Sequence, residues 1–279
     1  MTSPDPFLIR AAVPDFDSFA TRYAAASAVL RARHAVLSDM AYGPGARERC
    51  DVVLPDRAPK GAPLHVFVHG GYWRAGRKED YTFVAAPVVA AGGVAALVEY
   101  DLMPGVRMAD LVAQVRKAVH WLTSHATTWG ADPSRLTASG HSAGAHLASY
   151  LAASGPQDDT RPDTLPRVLP RSLLLVSGIY DLAPIRNSFL QAEIALTPAE
   201  AALWSPVSAA HALGPARTLV VGGAETPPFH AQAQALRARL TGPAQLCIEP
   251  GLNHMNAVMA LGDPDHPLGR SLTAMVTAS

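Results

Sequence analysis

Cysteine is scarce, charge is sparse and balanced, and no apolar run is long. Only two of the 279 residues are cysteine, Cys50 and Cys247; both lie in apolar stretches and they form no CxxC pair. A disulfide framework or thiolate metal site is therefore not expected, and both read as buried reduced thiols. Lys plus Arg total 23, as do Asp plus Glu, so the formal net charge is zero. A nucleic-acid surface would want a basic excess. The 11 histidines are scattered, with no HExxH spacing. No apolar stretch approaches the ~18 residues of a membrane span. The opening "MTSPDPFLIRAAVPDFDSF" carries early prolines and acids rather than a basic region and an apolar core, unlike a signal peptide. The expectation is a cytoplasmic protein whose partners include no nucleic acid and no membrane.

What is present is an alternation of apolar strands and helices. An Ala-rich helix is expected from about Asp15, through "FDSFATRYAAASAVLRARH". "RERCDVVLP", "LHVFVH", "VAALVEY", "RLTASG", "SLLLVSGIYDL", "ARTLVVGG" and "AQLCIEP" read as strands. "KEDYTFVAAPVVAAGG" reads as a helix with a Gly-Gly stop, and a last helix falls near 267–277. In "MADLVAQVRKAVHWLTSHA", Leu111, Val112, Val115, Val119 and Leu122 form one apolar stripe at helical spacing. Residues 155–170, rich in Pro and Asp, read as a surface loop. Apolar strands alternating with helices imply a mostly parallel, twisted central sheet covered on both faces. One domain over 1–279 is expected, with residues 1–40 as a small N-terminal helical addition and 180–212 as an insertion at its rim.

Between the strand "RLTAS" and the helix "AGAHL" lies "GHSAG", the pattern G-x-S-x-G at Gly140, Ser142 and Gly144. A Ser on so sharp a turn is crowded by the neighbouring strands and the following helix, which requires small residues two positions to either side. The turn presents the hydroxyl at the end of the sheet. The plainer alternative is a small-residue helix start with Ser142 as a cap.

A Ser nucleophile needs a base and an orienting acid, which in a doubly wound hydrolase follow in the order Ser, acid, His. His254, in the loop "EPGLNHMNAV" after the last strand, is the expected base; His266 is the other late histidine. For the acid, Glu225 follows the penultimate strand, Asp181 the one before it, and Glu249 closes the last. The usual acid position favours Glu225, and a solvated loop carboxylate is the alternative for each. The stretch "HVFVHGGYW" then takes on a purpose. Glycines let the backbone approach a substrate and turn N–H groups toward a developing oxyanion. Gly70 and Gly71, with Ala143 after the nucleophile, are the expected donors.

Together "HGGYW", "GHSAGAHL", "SGIYDLAP" and "GGAETPPFHAQAQAL" resemble the α/β-hydrolase superfamily. They are most similar to its kynurenine formamidase (arylformamidase) group and the related hormone-sensitive-lipase-like esterases. HGG and GxSxG are common to many esterases, whereas HGGxW is the more specific element. The resemblance spans roughly residues 40–260 and includes "EYDLMPGVRMADLVAQVRKAVHWL". It implies an α/β-hydrolase fold, nucleophile Ser142, acid Glu225, base His254 and donors Gly70, Gly71 and Ala143. The acid of this group is commonly Asp, so Glu225 is a departure.

The resemblance implies a metal-independent serine hydrolase without cofactor, acting on a small amide or ester, foremost an aryl formamide such as N-formylkynurenine. A carboxylesterase for short-chain or aryl esters is the alternative, and a non-catalytic ligand-binding α/β-hydrolase a remote one. Tyr72, Trp73, Tyr180, Trp204 and Phe229 are candidates to line the substrate site, with simple packing as the competing role for each. A homodimer is left open.

Overall fold

The computed structural model describes residues 5–57, 59–156 and 167–278. Most of the loop expected at 155–170 lies outside the described residues. Eight strands form one sheet: β1 (Val36–Ala41), β2 (Arg49–Val53), β3 (Ala62–Val68), β4 (Val94–Val98), β5 (Ala131–His141), β6 (Ser172–Val176), β7 (Ala216–Gly222) and β8 (Ala244–Glu249). Their order is β1-β2-β4-β3-β5-β6-β7-β8. β2 runs antiparallel to β1 and to β4, and the strands from β4 to β8 are parallel. Every residue of β3 and of β4 is buried, which is why β4 reads as an unbroken apolar run and β3 as one interrupted only by His65, whose ring nitrogens lie 2.8 and 2.7 Å from the Thr137 and Ser139 hydroxyls. β8 lies at the edge: Ile248 is 52% exposed and Cys247 only half-buried, whereas Cys50 is fully buried; both thiols are free.

The α-helices are α1 (Ile9–Ala12), α2 (Ser18–Arg33), α3 (Ala86–Ala90), α4 (Met108–His125), α5 (Ala143–Ser149), α6 (Gln191–Ile194), α7 (Pro198–Leu203), α8 (Pro227–Arg239), α9 (His254–Leu261) and α10 (Pro267–Thr277). α10 packs with α3 and α9, α4 packs with α5, and both α10 and α4 lie on β3 and β5. The expected stripe of α4 is buried throughout, extended by Met108 and Ala118.

Two local expectations need correction. Residues 36–40, counted in a helical segment, form the start of β1, a half-exposed edge strand with no apolar run to announce it. Residues 78–90, expected as one helix, are a 3-10 segment (Lys78–Ala85) followed by the short α3. Pro87 has no N–H for the carbonyl four residues back, so a continuous α-helix would lose a bond there.

The chain passes from β3 to β4 on one side, then through α4 to β5 on the other side of β3. The crevice beyond the carboxyl ends of β3 and β5 is the topological switch point, where open α/β sheets bind ligands.

Candidate active site

β5 ends at His141 and α5 begins at Ala143, so Ser142 alone makes the turn. Its φ of +56° and ψ of −122° are disfavoured for a residue with a Cβ, at a cost of about 1–3 kcal/mol. The turn is held by the Ser142 N–H donating to the Val176 carbonyl at 2.9 Å, and by its own carbonyl accepting from Ala145 and His146 at 3.0 and 3.2 Å. The flanking glycines are sterically required. A Cβ on Gly140 would lie 2.3 Å from the Gly144 carbonyl oxygen, and one on Gly144 2.0 Å from that of Val68.

His254 is the first residue of α9 rather than part of a loop. Asn253 caps that helix, its side-chain oxygen accepting from the Met255 and Asn256 N–H groups at 2.9 Å each. His254 Nε2 lies 3.0 Å from Ser142 Oγ, and Nδ1 lies 2.7 Å from Glu225 Oε2. The ring packs on Phe229, with centroids 4.4 Å apart, and beside His141 at 4.8 Å. His141 Nε2–H donates to the His254 carbonyl at 2.9 Å, fixing the start of the helix as well as the ring.

Glu225 Oε1 accepts from the Ser177 hydroxyl at 2.6 Å and the Gly222 N–H at 2.7 Å. Burial alone would raise the pKa of this carboxyl, but the His254 charge and the hydrogen bonds from His254, Ser177 and Gly222 outweigh it and hold the group below the ordinary carboxylate range. The ionised carboxylate can only accept, so His254 carries its proton on Nδ1 and turns the Nε2 lone pair to the Ser142 hydroxyl. The other candidates lie elsewhere. Asp181 Oδ1 accepts from the Ala183 N–H at 2.9 Å. Glu249 ends the edge strand, and His266 caps α10, its Nδ1 accepting from Leu268 N–H at 3.1 Å. The structure thus brings Ser142, His254 and Glu225 together.

The loop after β3 lies against this turn. A Cβ on Gly70 would sit 3.1 Å from Ser142 Cβ and 2.9 Å from the His141 carbonyl oxygen. Gly71 has φ +121°, and a Cβ there would meet the Ala75 carbonyl oxygen at 2.0 Å. Tyr72 and Trp73 follow at φ +51° and +60°, so three consecutive residues have positive φ. Side chains pin this loop. Trp73 is fully buried, its Nε1–H donates to His146 Nδ1 at 3.2 Å, and its carbonyl accepts from Met103 at 2.8 Å. Tyr72 O–H donates to the Phe7 carbonyl at 2.6 Å. His69 Nδ1–H donates to the Gly70 carbonyl at 2.7 Å, and its Nε2 lies 2.9 Å from Glu99 Oε1, which also takes Arg47 at 2.6 Å.

In front of Ser142 and His254 opens a cavity of about 220 Å³. Its walls include Ile9 and Phe16 from the N-terminal segment, Tyr72, and Phe189 from the 180–212 insertion. Of the five candidate lining residues only Tyr72 borders it. Trp73 and Tyr180 are fully buried, Phe229 lies under the His254 ring, and Trp204 packs on Tyr150 while its carbonyl accepts from His146 Nε2. None of these four borders the cavity. Sequence reasoning missed the supporting groups, although His69 and His141 stand inside the HGG and GxSxG motifs and Glu99 and Ser177 directly follow the ends of β4 and β6. Among the described residues no group of three or more His, Cys, Asp or Glu is placed to hold a metal ion, and no helix is long and apolar enough to cross a membrane.

Comparison with known proteins gives the chain's family and fold. The BD-FAE family matches residues 50–240, more than half of the chain. The kynurenine formamidase of Salmo salar is 31% identical over 253 residues, covering 87% of this chain and 83% of that protein. Esterase LipQ of Mycobacterium tuberculosis is 30% identical over 155 residues, 54% of this chain and 37% of that one. A candidate thioesterase from Silicibacter sp. tm1040, solved as a crystal structure, superposes with a TM-score of 0.83 at 28% identity over 99% of each chain.

Proposed function

The chain belongs to the BD-FAE family and to the kynurenine formamidase and hormone-sensitive-lipase-like esterase group of α/β-hydrolases, and from that premise we propose that this hydrolase cleaves an aryl formamide by acyl transfer through Ser142. The observation that carries the proposal is the continuous relay from Ser142 Oγ through His254 to Glu225, with separations of 3.0 and 2.7 Å.

In the first step His254 Nε2 takes the Ser142 proton as Oγ attacks the formyl carbon. Glu225 holds the imidazole in the required tautomer and stabilises its cation. The oxyanion forms against the backbone N–H groups of Gly71 and Ala143, with Gly70 completing the cradle. Ala143 is the first residue of α5, so its N–H has no partner within the helix. An aryl amine is a weak base, and its expulsion depends on the proton now held on His254 Nε2. Water then enters by the same route in reverse: His254 takes its proton, the hydroxide attacks the formyl-serine ester, and Ser142 is restored as formate leaves. These steps call for no metal or cofactor. One domain serves them, with Leu8, Ile9, Arg10 and Phe16 of the N-terminal segment and Phe189 of the 180–212 insertion walling the cavity at its rim.

A general esterase is the second reading, favoured by the similarity to LipQ. The same relay and oxyanion cradle act on an ester, whose alkoxide or phenoxide leaves more readily than an anilide nitrogen that has not been protonated. The deciding experiment compares kcat/KM for N-formylkynurenine, simple formanilides and short p-nitrophenyl esters, with fluorophosphonate labelling of the wild-type and Ser142→Ala proteins. Labelling at Ser142 with a formamide preference is expected. An unlabelled, folded wild-type protein would remove Ser142 from the mechanism, and a strong ester preference would establish the second reading.

A further inference from the structure

His69, directly before the oxyanion glycines, is buried, and its hydrogen-bond partners decide where its protons sit. Nδ1 lies 2.7 Å from the Gly70 carbonyl oxygen and Nε2 2.9 Å from Glu99 Oε1. The carbonyl can only accept. The other partners of Glu99 all donate: Arg47 at 2.6 Å and the Tyr100 N–H at 3.0 Å on Oε1, and the Lys78 N–H at 3.1 Å on Oε2. Burial alone would raise the pKa of this carboxyl, but the His69 hydrogen bond and charge, the Arg47 charge and the Lys78 N–H outweigh it and hold the group below the ordinary carboxylate range. Glu99 is therefore an acceptor too. A neutral imidazole would turn a lone pair toward one of these two oxygens. Donating to both requires a proton on each ring nitrogen, and that makes the ring a cation.

The surroundings suit a cation. The ring lies nearly parallel to Tyr100, with centroids 4.4 Å apart, and to Tyr81, at 5.7 Å, and aromatic faces attract positive charge. Arg47 shares Glu99 Oε1 with it, and Asp80 adds a second negative charge within electrostatic reach of the ring. The Gly70 carbonyl and the Gly71 N–H are the two ends of one peptide unit, and its partial double bond couples them. Positive charge at the carbonyl oxygen draws electron density from the nitrogen and makes its N–H a stronger donor, as in the mutually polarised hydrogen-bond chains of a low-dielectric interior. The unit is held at both sides. The Gly71 carbonyl accepts from Arg74 and Ala75 at 3.1 and 3.0 Å, the Tyr100 hydroxyl donates to the His69 carbonyl at 2.7 Å, and Arg47 donates to the Gly76 carbonyl at 2.8 Å.

We propose that His69 is a positioning residue of the oxyanion hole, an imidazolium held by Glu99 that fixes the Gly70–Gly71 peptide and polarises its N–H toward the oxyanion. On the acyl-transfer reading above, on which this rests, the Gly71 N–H receives the charge that develops as Ser142 attacks. His69 does not border the cavity and acts only through that peptide. Arg47, Glu99, His69 and the reacting oxygen then form a line of alternating charge, with the protein supplying the first three before the reaction starts.

The test has a spectroscopic arm and a binding arm. In the wild type, nitrogen NMR of the histidine rings at neutral pH, with His69 assigned by difference from the His69→Asn protein, should show a proton on both ring nitrogens. This arm needs no variant to be active. His69→Asn places an amide N–H where Nδ1–H stood, so the bond to Gly70 can be kept while the charge and the reach to Glu99 are lost. The binding arm compares an aryl trifluoromethyl ketone, whose carbonyl carbon takes Ser142 Oγ to leave an oxyanion, with the matching alcohol, which forms none. In His69→Asn, kcat and ketone affinity should fall together by about ten- to a hundredfold, short of the 10²–10³ of a donor lost outright, while KM and alcohol affinity change by less than about twofold. Glu99→Gln should lower ketone affinity in the same direction. An active wild type with one bare ring nitrogen on His69 overturns the proposal. So does a folded His69→Asn protein that keeps its ketone affinity, or that loses ketone and alcohol affinity alike, as a merely structural residue would. A wild type that hydrolyses none of the substrate panel and takes no fluorophosphonate at Ser142 would remove the acyl-transfer reading itself, and this proposal with it.

Discussion

Replacing Glu225 by Gln removes a charge and changes almost nothing in shape, yet the surroundings of Glu225 dictate a large effect. Its Oε1 accepts from the Ser177 hydroxyl and from the Gly222 N–H. The hydroxyl could rotate to accept instead, but the backbone N–H can only donate. A glutamine must therefore keep its carbonyl oxygen on that side and turn its NH2 group to His254 Nδ1. The amide donates, so Nδ1 must give up its hydrogen and the imidazole is locked with the proton on Nε2. That nitrogen then presents a donor to Ser142 Oγ where a lone pair is needed, and the serine cannot be deprotonated. The equivalent exchange in a serine protease lowers kcat by about 10⁴. For Glu225→Gln we expect a fall in kcat of about 10³–10⁴, or ~4–5.5 kcal/mol of transition-state stabilisation, with KM little changed. Steady-state kinetics on the best substrate of the panel measure it. The rate of fluorophosphonate labelling gives an independent reading, because it needs the same proton transfer without a departing amine. Asp181→Asn is the control and should leave both rates as they are. A folded Glu225→Gln protein keeping more than a tenth of its kcat would refute the reasoning, and so would a larger loss in Asp181→Asn.

Trp73→Phe should cost about 1–3 kcal/mol in denaturant stability by leaving buried His146 Nδ1 without its donor, and it should lower kcat more than it raises KM because it loosens the oxyanion loop; equal changes in both would mean that Trp73 does not position that loop. Acid should destabilise the fold well above the carboxylate range. Burial pushes His65 and His141 down to about 3 and His146 to about 4, whereas an unfolded His titrates near 6.5. Below pH 6.5 the unfolded chain takes up protons that these three native histidines refuse, so stability falls with pH toward their folded values. Each contributes roughly 1.4 kcal/mol per pH unit, giving of order 4 kcal/mol between pH 7.5 and 5.5. Glu225, whose pKa is lowered, acts in a separate window: its stabilisation is complete above the unfolded carboxylate value and is lost only as pH falls further, through the native one. Urea midpoints at pH 7.5 and 5.5 measure the histidine effect, and equal midpoints would contradict it.

The parts of the fold legible in the sequence are those whose pattern is local and two-sided. β4 is apolar throughout, and β3 apart from His65, because both faces are covered, and α4 shows its stripe because only one face is. β1 was hidden because an edge strand with one solvated face and a shifted register against β2 needs no apolar run. The broken helix at 78–90 was hidden for another reason. Its first residue, Lys78, is buried by an ion-pair cluster with Asp39, Asp51 and Glu79, and two of those partners lie on strands far away in the chain. No window around Lys78 contains that information.

The same distinction separates the chemistry of the site from its specificity. Ser142 can be read from six or seven residues because the steric demand on its turn falls on its own neighbours: Gly140 and Gly144 are fixed by carbonyl oxygens 2.3 and 2.0 Å from any added Cβ. His254 and Glu225 are placed by the order of strand ends, which the alternation of strands and helices already determines. The cavity walls obey no such rule. Ile9, Phe16 and Arg10 arrive from the N-terminal segment, which is tied down by the Tyr72 and Thr226 hydroxyls on the Phe7 and Pro6 carbonyls. Phe189 arrives from the 180–212 insertion, held to that segment by Asp5 on its N–H. These bonds join segments more than 60 residues apart, so the aromatic residues nearest the motif were a poor guide to the walls. Trp73, the most conspicuous of them, is an anchor behind the loop, while the unremarkable Arg74 beside it borders the cavity.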